Sequence, residues 1–597
     1  MKNIRKLAQM PVWLTLPVIA ILLTLFGIPI IRLFLISFKA PDFSLSNYVA
    51  FFGQPANVRV LVQTVEISVV VTAICLIIGY PTAYLIVAAT KKIRIALFVL
   101  VIVPYLTSIL VRTYAWIVIF GDRGLINNLL LYLGLISSPL PLLYNRLAVY
   151  IGMVHIMLPM MILPLVSVMI GIDKSLMAAA RSMGARPVTA FWRVFFPLSL
   201  PGVRSGSLLV FVICLGFYIT PAALGGLRDV MLSTFIAAQV TNAFDIGRIA
   251  TAAFVLLGLA LVVLCMLGID LSGGQGGRAK INDKSQRISV PSLNRLTRYI
   301  RELLVPYRAR RWTAQLYEAG GESSWTRVVG TGFVALVMSF LLLPSVVVII
   351  ISFSAGAFLQ FPPSGLSLQW YRSFFGDPSW YGAAWTSVQI GVAVTILSTF
   401  VGTLAAYGLS RTSPGLRRVL TLIILAPITI PIIVVAIAAY QALNNLGLIG
   451  SKTGIILAHS IGSIGYVVVI VSATLANFDR RLEQAAMSMR AGPWQTFIRV
   501  TLPLIRPGII GGAVFAFIAS FDEVVITSLV SGFSLKTLPL KMWENIRHQI
   551  DPTIAAVASL LILLAMLWLI VLYVSWWRSS LSKYRALLEP AAQEDGL

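Results

Sequence analysis

Four ionisable side chains stand in surroundings too apolar to solvate them: Glu66, Arg112 and the adjacent pair Asp522 and Glu523. A charge inside a hydrocarbon slab costs about 2.5–3.5 kcal/mol or more, so each needs a partner, water or a task. Adjacent acids on a helix point in different directions, so one of the pair could face a central pathway and attract a cationic solute, or both could bond neighbouring helices. Glu66 and Arg112 are opposite in sign and read as an ion pair locking two helices. Tyr114, Trp116, Tyr218 and Trp543 could line a pathway through cation–π contact, worth roughly 0.5–2 kcal/mol each, or belong to interfacial belts. No catalytic or metal-ligating set stands beside them. Cys75, Cys214 and Cys265 fall in apolar runs without ligand spacing, and His155 and His459 read as hydrogen-bonded packing residues.

The elements that must position these groups are membrane helices. Of the 597 residues 58% are hydrophobic and only 11% charged, too little charge to solvate a soluble surface of this size. Ile249–Ile269 and Thr553–Trp577 are each long enough to cross about 30 Å of hydrocarbon. On that template we read twelve helices, six on each side of a polar stretch from Leu271 to about Trp325, with no strand-like alternation. The fold class is an all-α polytopic membrane protein, divided as 1–270, a basic linker 271–325, and 326–597. Met10–Ile31 is too long for a signal-peptide core and reads as a retained first helix. The net charge of +25 is not a nucleic-acid footprint: 32 of 46 Lys/Arg fall in alternate segments that include both termini and the linker. That bias places those segments in the cytoplasm.

The chain also repeats itself. Thr64–Tyr84 aligns with Ser387–Tyr407 at an offset of 323, which matches Glu66 to Gln389. Met177–Val203 aligns with Glu483–Ile509 at an offset of 306, so half two lacks 17 residues in the outward loop that half one carries around Asn127–Arg146. Each late repeat reads as a helix, a turn and a second short helix, because its prolines should interrupt regular helix. In the linker, Arg295–Leu304 groups Leu296, Ile300, Leu303 and Leu304 on one face, as in an interfacial amphipathic helix or a solvated basic tether.

The late repeat, "MAAARSMGARPVTAFWRVFFPLSLPGV" and "EQAAMSMRAGPWQTFIRVTLPLIRPGI", resembles the EAA loop of ABC-importer permeases. Their pattern is Glu-Ala-Ala, three residues, Gly, then an aromatic and a closing L-P-x-x-x-P-G. The resemblance puts the motif on Ala178, Ala179, Ala180, Gly184, Phe191, Arg193, Pro197 and Pro201 in half one. In half two it falls on Gln484, Ala485, Ala486, Arg490, Phe497, Arg499, Pro503 and Pro507. The family's Glu is replaced in both copies, and its Gly by Arg490 in the second. Pro104–Leu130 and Gly216–Gly226 look like the first permease of polyamine-type importers. Ser520–Gly532 with Thr537–Trp543 looks like the second, so the chain reads as their fusion. The acid usual after the "LG" of the first permease is missing, since Leu215–Gly216 lead into Phe217–Tyr218.

The resemblance implies a tandem pair of six-helix ABC-importer (MetI-like, type I) transmembrane domains in a bacterial inner membrane, surrounded by membrane lipid. It implies two copies of an ABC ATPase subunit seated on the loops, which bind the ATP and Mg, and a periplasmic or lipid-anchored solute-binding protein. "LSGGQ" at Leu271–Gln275 spells the ATPase signature but follows a membrane helix, and no G-x-x-x-x-G-K-[ST] phosphate loop occurs in the chain. The chain therefore reads as a pathway with no enzyme activity or cofactor of its own. The expected cargo is a polyamine such as putrescine or spermidine, with ferric ion or small amino compounds as alternatives. A carrier driven by an ion gradient, with Glu66 as its proton site, is the competing class.

Overall fold

The computed structural model describes residues 11–39, 41–242, 245–266, 324–532, 534–548, 552–567 and 570. The linker helix expected at Arg295–Leu304, the "LSGGQ" stretch and both chain ends lie outside the described residues. Eleven helices occur in the same order in each half: the short helix Ser46–Gly53 or Gln369–Gly376, which follows the first span, and ten numbered ones. In half one they are α1 (Val12–Ser37), α2 (Pro55–Ala88), α3 (Lys91–Leu106), α4 (Ile109–Phe120), α5 (Arg146–Ile170), α6 (Lys174–Ser182), α7 (Pro187–Leu215), α8 (Ile219–Leu224), α9 (Leu232–Asn242) and α10 (Ile246–Met266). Half two runs α11 (Ser324–Ser352), α12 (Pro378–Ser410), α13 (Pro414–Thr429), α14 (Ile432–Asn445) and α15 (Lys452–Ala476), then α16 (Arg481–Ser488), α17 (Pro493–Phe521), α18 (Val525–Val530), α19 (Leu538–His548) and α20 (Thr553–Leu567).

Among the described residues nine helices are long and apolar enough to span a membrane, or eleven when each of two bent pairs counts as one span. The last expected span is described only over Thr553–Leu567. The bent pairs are α3 with Ile109–Tyr132, the stretch that α4 begins, at 91°, and α13 with α14, at 101°. Both breaks have a local cause. Thr107 and Ser108 are extended, and the Ser108 hydroxyl takes the Leu110 N–H to start α4. Ile430 is extended because Pro431 follows it.

Within each half, α2, α5 and α7 (or α12, α15 and α17) pack as a three-helix core. The most apolar stretches of α5 and α15 are each 67% buried against 28% for α1, so these two helices form the centres of the halves. The first helices are exchanged: α1 packs on α12 and α14, and α11 packs on α2, α3 and α4. The repeat extends to single hydrogen bonds. Thr64 accepts from the Leu232 N–H at 2.8 Å, and Ser387, its counterpart, accepts from the Leu538 N–H at 2.8 Å.

Candidate functional site

Each late repeat builds the same connector. Asp173 accepts from the Ser175 N–H at 2.8 Å ahead of α6, a bond that holds its carboxyl below the usual carboxylate range. Asp479 likewise accepts a hydrogen bond from the Arg481 N–H at 2.9 Å ahead of α16. The helices end in matching left-handed turns, closed by the bond from the Ala185 N–H to Ala180 O in one and from the Ala491 N–H to Ala486 O in the other. The turn residue is Gly184 with φ +83° in half one and Arg490 with φ +63° in half two. Arg490 thus takes the same left-handed conformation as Gly184, at a cost of about 1–2 kcal/mol.

The expectation of a short second helix broken by prolines is corrected. Pro187 and Pro493 start helices that run unbroken to Leu215 and Phe521, with Pro197, Pro201, Pro503 and Pro507 inside them. The chain avoids the break by widening one turn. Phe191–Phe195 and Phe497–Thr501 are π-helical, each ending two residues before a proline. A proline ring clashes with the carbonyl four residues back, here that of Arg193 or Arg499, and the extra residue in the turn moves that carbonyl away. Leu23–Gly27, ahead of Pro29 in α1, uses the same device.

Ala180 and Ala486 are buried, while Ala178, Ala179, Gln484, Ala485, Arg193 and Arg499 are exposed. The aromatics fasten the connectors to the membrane core: Phe191 lies edge-on to Tyr84 of α2 at 5.3 Å and Phe497 to Tyr407 of α12 at 4.8 Å. Half two adds a junction that sequence reasoning missed. Buried Glu483 binds Arg411 at 2.5 Å and accepts from the Thr501 hydroxyl at 2.5 Å, while the Arg411 guanidinium lies over the Tyr407 ring at 4.9 Å. The corresponding half-one residues are Met177, Ala88 and Phe195, so three positions change together from apolar to polar. That joint change was the available signal.

A second cluster lies where the halves meet. Asp522, at the end of α17, accepts from the Ser108 hydroxyl and from the Ile109 N–H at 3.1 Å, and so caps α4 of the other half. Arg112 lies one turn further along α4, buried, with Asp522 as its electrostatic partner. Glu523 accepts from the Ile526 N–H at 2.8 Å and is half-buried, and Tyr466 of α15 is near enough to interact with it electrostatically. In the mirror position Gly216 ends α7 against Pro431: a Cβ added there would lie 2.8 Å from the proline Cβ. One half meets the other's broken helix through a carboxylate, the other through bare backbone.

The expected Glu66–Arg112 pair is also corrected. Glu66 binds Arg146 at 3.0 Å, and Arg146 also binds Asp229 at 3.1 Å. In half two Gln389 takes the same contact from Lys452 at 2.8 Å, so the contact repeats although the carboxylate does not. Trp116 packs against Phe120, His155 and Phe340 at 4.9, 5.6 and 5.7 Å, and Tyr114 is fully buried. Tyr218 and Trp543 meet across the halves at 5.5 Å, with Arg547 of the chain itself 5.8 Å over the Trp543 ring. His155 bonds Leu341 O on α11, and His459 bonds Ser520 and Thr527.

The family of binding-protein-dependent transport system inner membrane components matches the chain twice, over residues 75–271 and 398–583, together more than half of its length. The spermidine/putrescine transport system permease protein PotB of Escherichia coli K12 is 33% identical over 209 residues, covering 35% of this chain and 76% of that one. The putrescine transport system permease protein PotI of the same strain is 31% identical over 251 residues, covering 40% and 86%. A solved bacterial ABC transporter involved in the import of the acidic polysaccharide alginate aligns with a TM-score of 0.35 at 20% identity, over 42% of this chain and 91% of that one.

Proposed function

The chain belongs to the family of binding-protein-dependent transport system inner membrane components, a family of multi-pass permeases, and from that premise we propose that it is the fused permease of an ATP-driven importer. Two copies of an ABC ATPase subunit, which bind the ATP and Mg, sit on the connectors Ala178–Gly202 and Gln484–Gly508. A periplasmic or lipid-anchored solute-binding protein delivers the cargo from the opposite side. Both chain ends and the linker 271–325 are cytoplasmic, and 1–270 and 326–597 are the two permease halves.

The observation that carries this reading is the connector built twice, with the same cap, left-handed turn, aromatic pin and π-helical turn 306 residues apart. A repeated surface suits a repeated partner. Because α7 and α17 are continuous with the connectors, a pull on a connector is delivered along the helix. Each spans 29 residues, about 43 Å at 1.5 Å per residue. Each ends on the break in the other half's bent pair, Asp522 on Ser108 and Ile109, Gly216 on Pro431. ATP-driven closure of the two connectors would thereby turn the half–half seam, provided ATP and solute each favour one state by differential contacts.

The names of the relatives and the acid at the seam favour a polyamine such as putrescine or spermidine as cargo. Asp522 has both carboxylate oxygens bonded to α4, whereas Glu523 has Oε1 on the Ile526 N–H, and Glu523 is the carboxylate assigned to meet the cation. Glu66 does not suit a proton-driven carrier: its side chain is 49% exposed and bound to Arg146 near the expected outer mouth. The test is uptake of radiolabelled spermidine by vesicles carrying the complex. Glu523→Gln should lower it about tenfold, the equivalent of one lost contact of about 1.4 kcal/mol; unchanged uptake removes Glu523 from the pathway.

A further inference from the structure

Glu483 is the one acid inside either connector helix, and it is turned into the protein and bound to Arg411. Asp173 and Asp479 serve the turns that start α6 and α16. What remains on the outside is basic. Residues 173–204 carry five Lys/Arg against one acid, and 479–510 carry five against two, one of them the buried Glu483. Lys174 and Arg480 correspond at the 306-residue offset, as do Arg193 and Arg499, and all four are exposed. In the same connectors an apolar side chain recurs at the residue before each left-handed turn: Met183 is 83% exposed and Met489 78%.

We propose that each connector presents basic side chains together with a methionine knob, and that its partner is an ATPase surface with an apolar socket rimmed by acidic side chains. This inference rests on reading the connectors as ATPase seats, and adds the sign of the charge the seat requires. Anionic lipid would satisfy the cations, but it gives no reason for a cation pair and a methionine to recur at one spacing. Two copies of one protein surface do. Charges on the rim of such an interface act through long-range attraction that salt screens, with a Debye length of about 10 Å at 0.1 M and 3 Å at 1 M.

The test uses the full chain co-expressed with its ATPase, purified in nanodiscs at 50 mM KCl, with stoichiometry read by native mass spectrometry while KCl is raised to 500 mM. The expected result is two ATPases per permease at low salt and at least tenfold weaker retention at high salt. A Lys174→Glu, Arg193→Glu, Arg480→Glu, Arg499→Glu variant should lose the ATPase at 50 mM. Two ATPases kept by the wild-type chain at both salts would overturn the inference while leaving the ATPase reading intact. No ATPase at any salt would overturn both. A salt response present with phosphatidylglycerol and absent with phosphatidylcholine alone would assign the cations to lipid and overturn the inference. The wild-type salt titration decides the matter even if the variant fails to fold.

Discussion

Replacing Glu483 by Gln would leave Arg411 without a counter-ion in a junction where the Arg411 side chain is 17% exposed and that of Glu483 6%. Removing one partner of a buried ion pair costs about 3–5 kcal/mol, because the survivor stays desolvated. Here Arg411 reaches some solvent and keeps the face of Tyr407, which lowers the expected cost to about 2–3 kcal/mol. The loss should be local, since the pair ties only α16 and the start of α17 to the end of α12. Amide hydrogen exchange reads it directly: with 1.4 kcal/mol per tenfold, residues 485–491 should open about 30- to 150-fold more often. The equivalent amides of half one, 179–185, should not change. A triple variant, Arg411→Ala, Glu483→Met, Thr501→Phe, installs the half-one residues and removes both charges at once, so it should recover to within about 1 kcal/mol of wild type. A change below threefold in Glu483→Gln, or a triple variant as open as the single one, would refute the reasoning.

Asp522→Asn removes the charge that caps α4 and should destabilise the folded protein by about 1–3 kcal/mol, seen as a lowered melting temperature in detergent; Glu523→Gln should leave melting unchanged. Gly216→Ala forces a Cβ to 2.8 Å from Pro431 and should cost about 1–3 kcal/mol, whereas Gly258→Ala, with nothing within 4 Å, should melt like the wild type. Arg490→Gly relieves a left-handed residue and should slow exchange at 489–491 by the equivalent of about 0.5–1 kcal/mol; faster exchange would contradict the strain.

Much of the connector was legible in the sequence because a motif present twice carries its own register: Gly184, Phe191 and Arg193 could be matched to Arg490, Phe497 and Arg499 from letters alone. The behaviour of the prolines was not legible. Pro197 and Pro503 read as breaks, and only the backbone shows that a π-helical turn absorbs each of them. Glu483 escaped notice because its counterpart is Met177, and its partner Arg411 lies at the end of a different repeat segment with its own offset. Glu66 and Arg112 were paired on sign and membrane burial, but helix sequences do not report depth. Arg146, counted as a loop residue, starts α5 at the level of Glu66 and takes it. His155 and His459, both read as packing residues, are 304 rather than 306 residues apart and make different bonds.

Proteoliposomes holding the purified chain, with and without its ATPase and solute-binding protein, test the central claim most directly when radiolabelled spermidine entry is measured under ATP or under an imposed proton gradient. The account predicts entry only when ATP, the ATPase and the binding protein are all present, and none from the gradient alone. Gradient-driven entry through the chain by itself would contradict it.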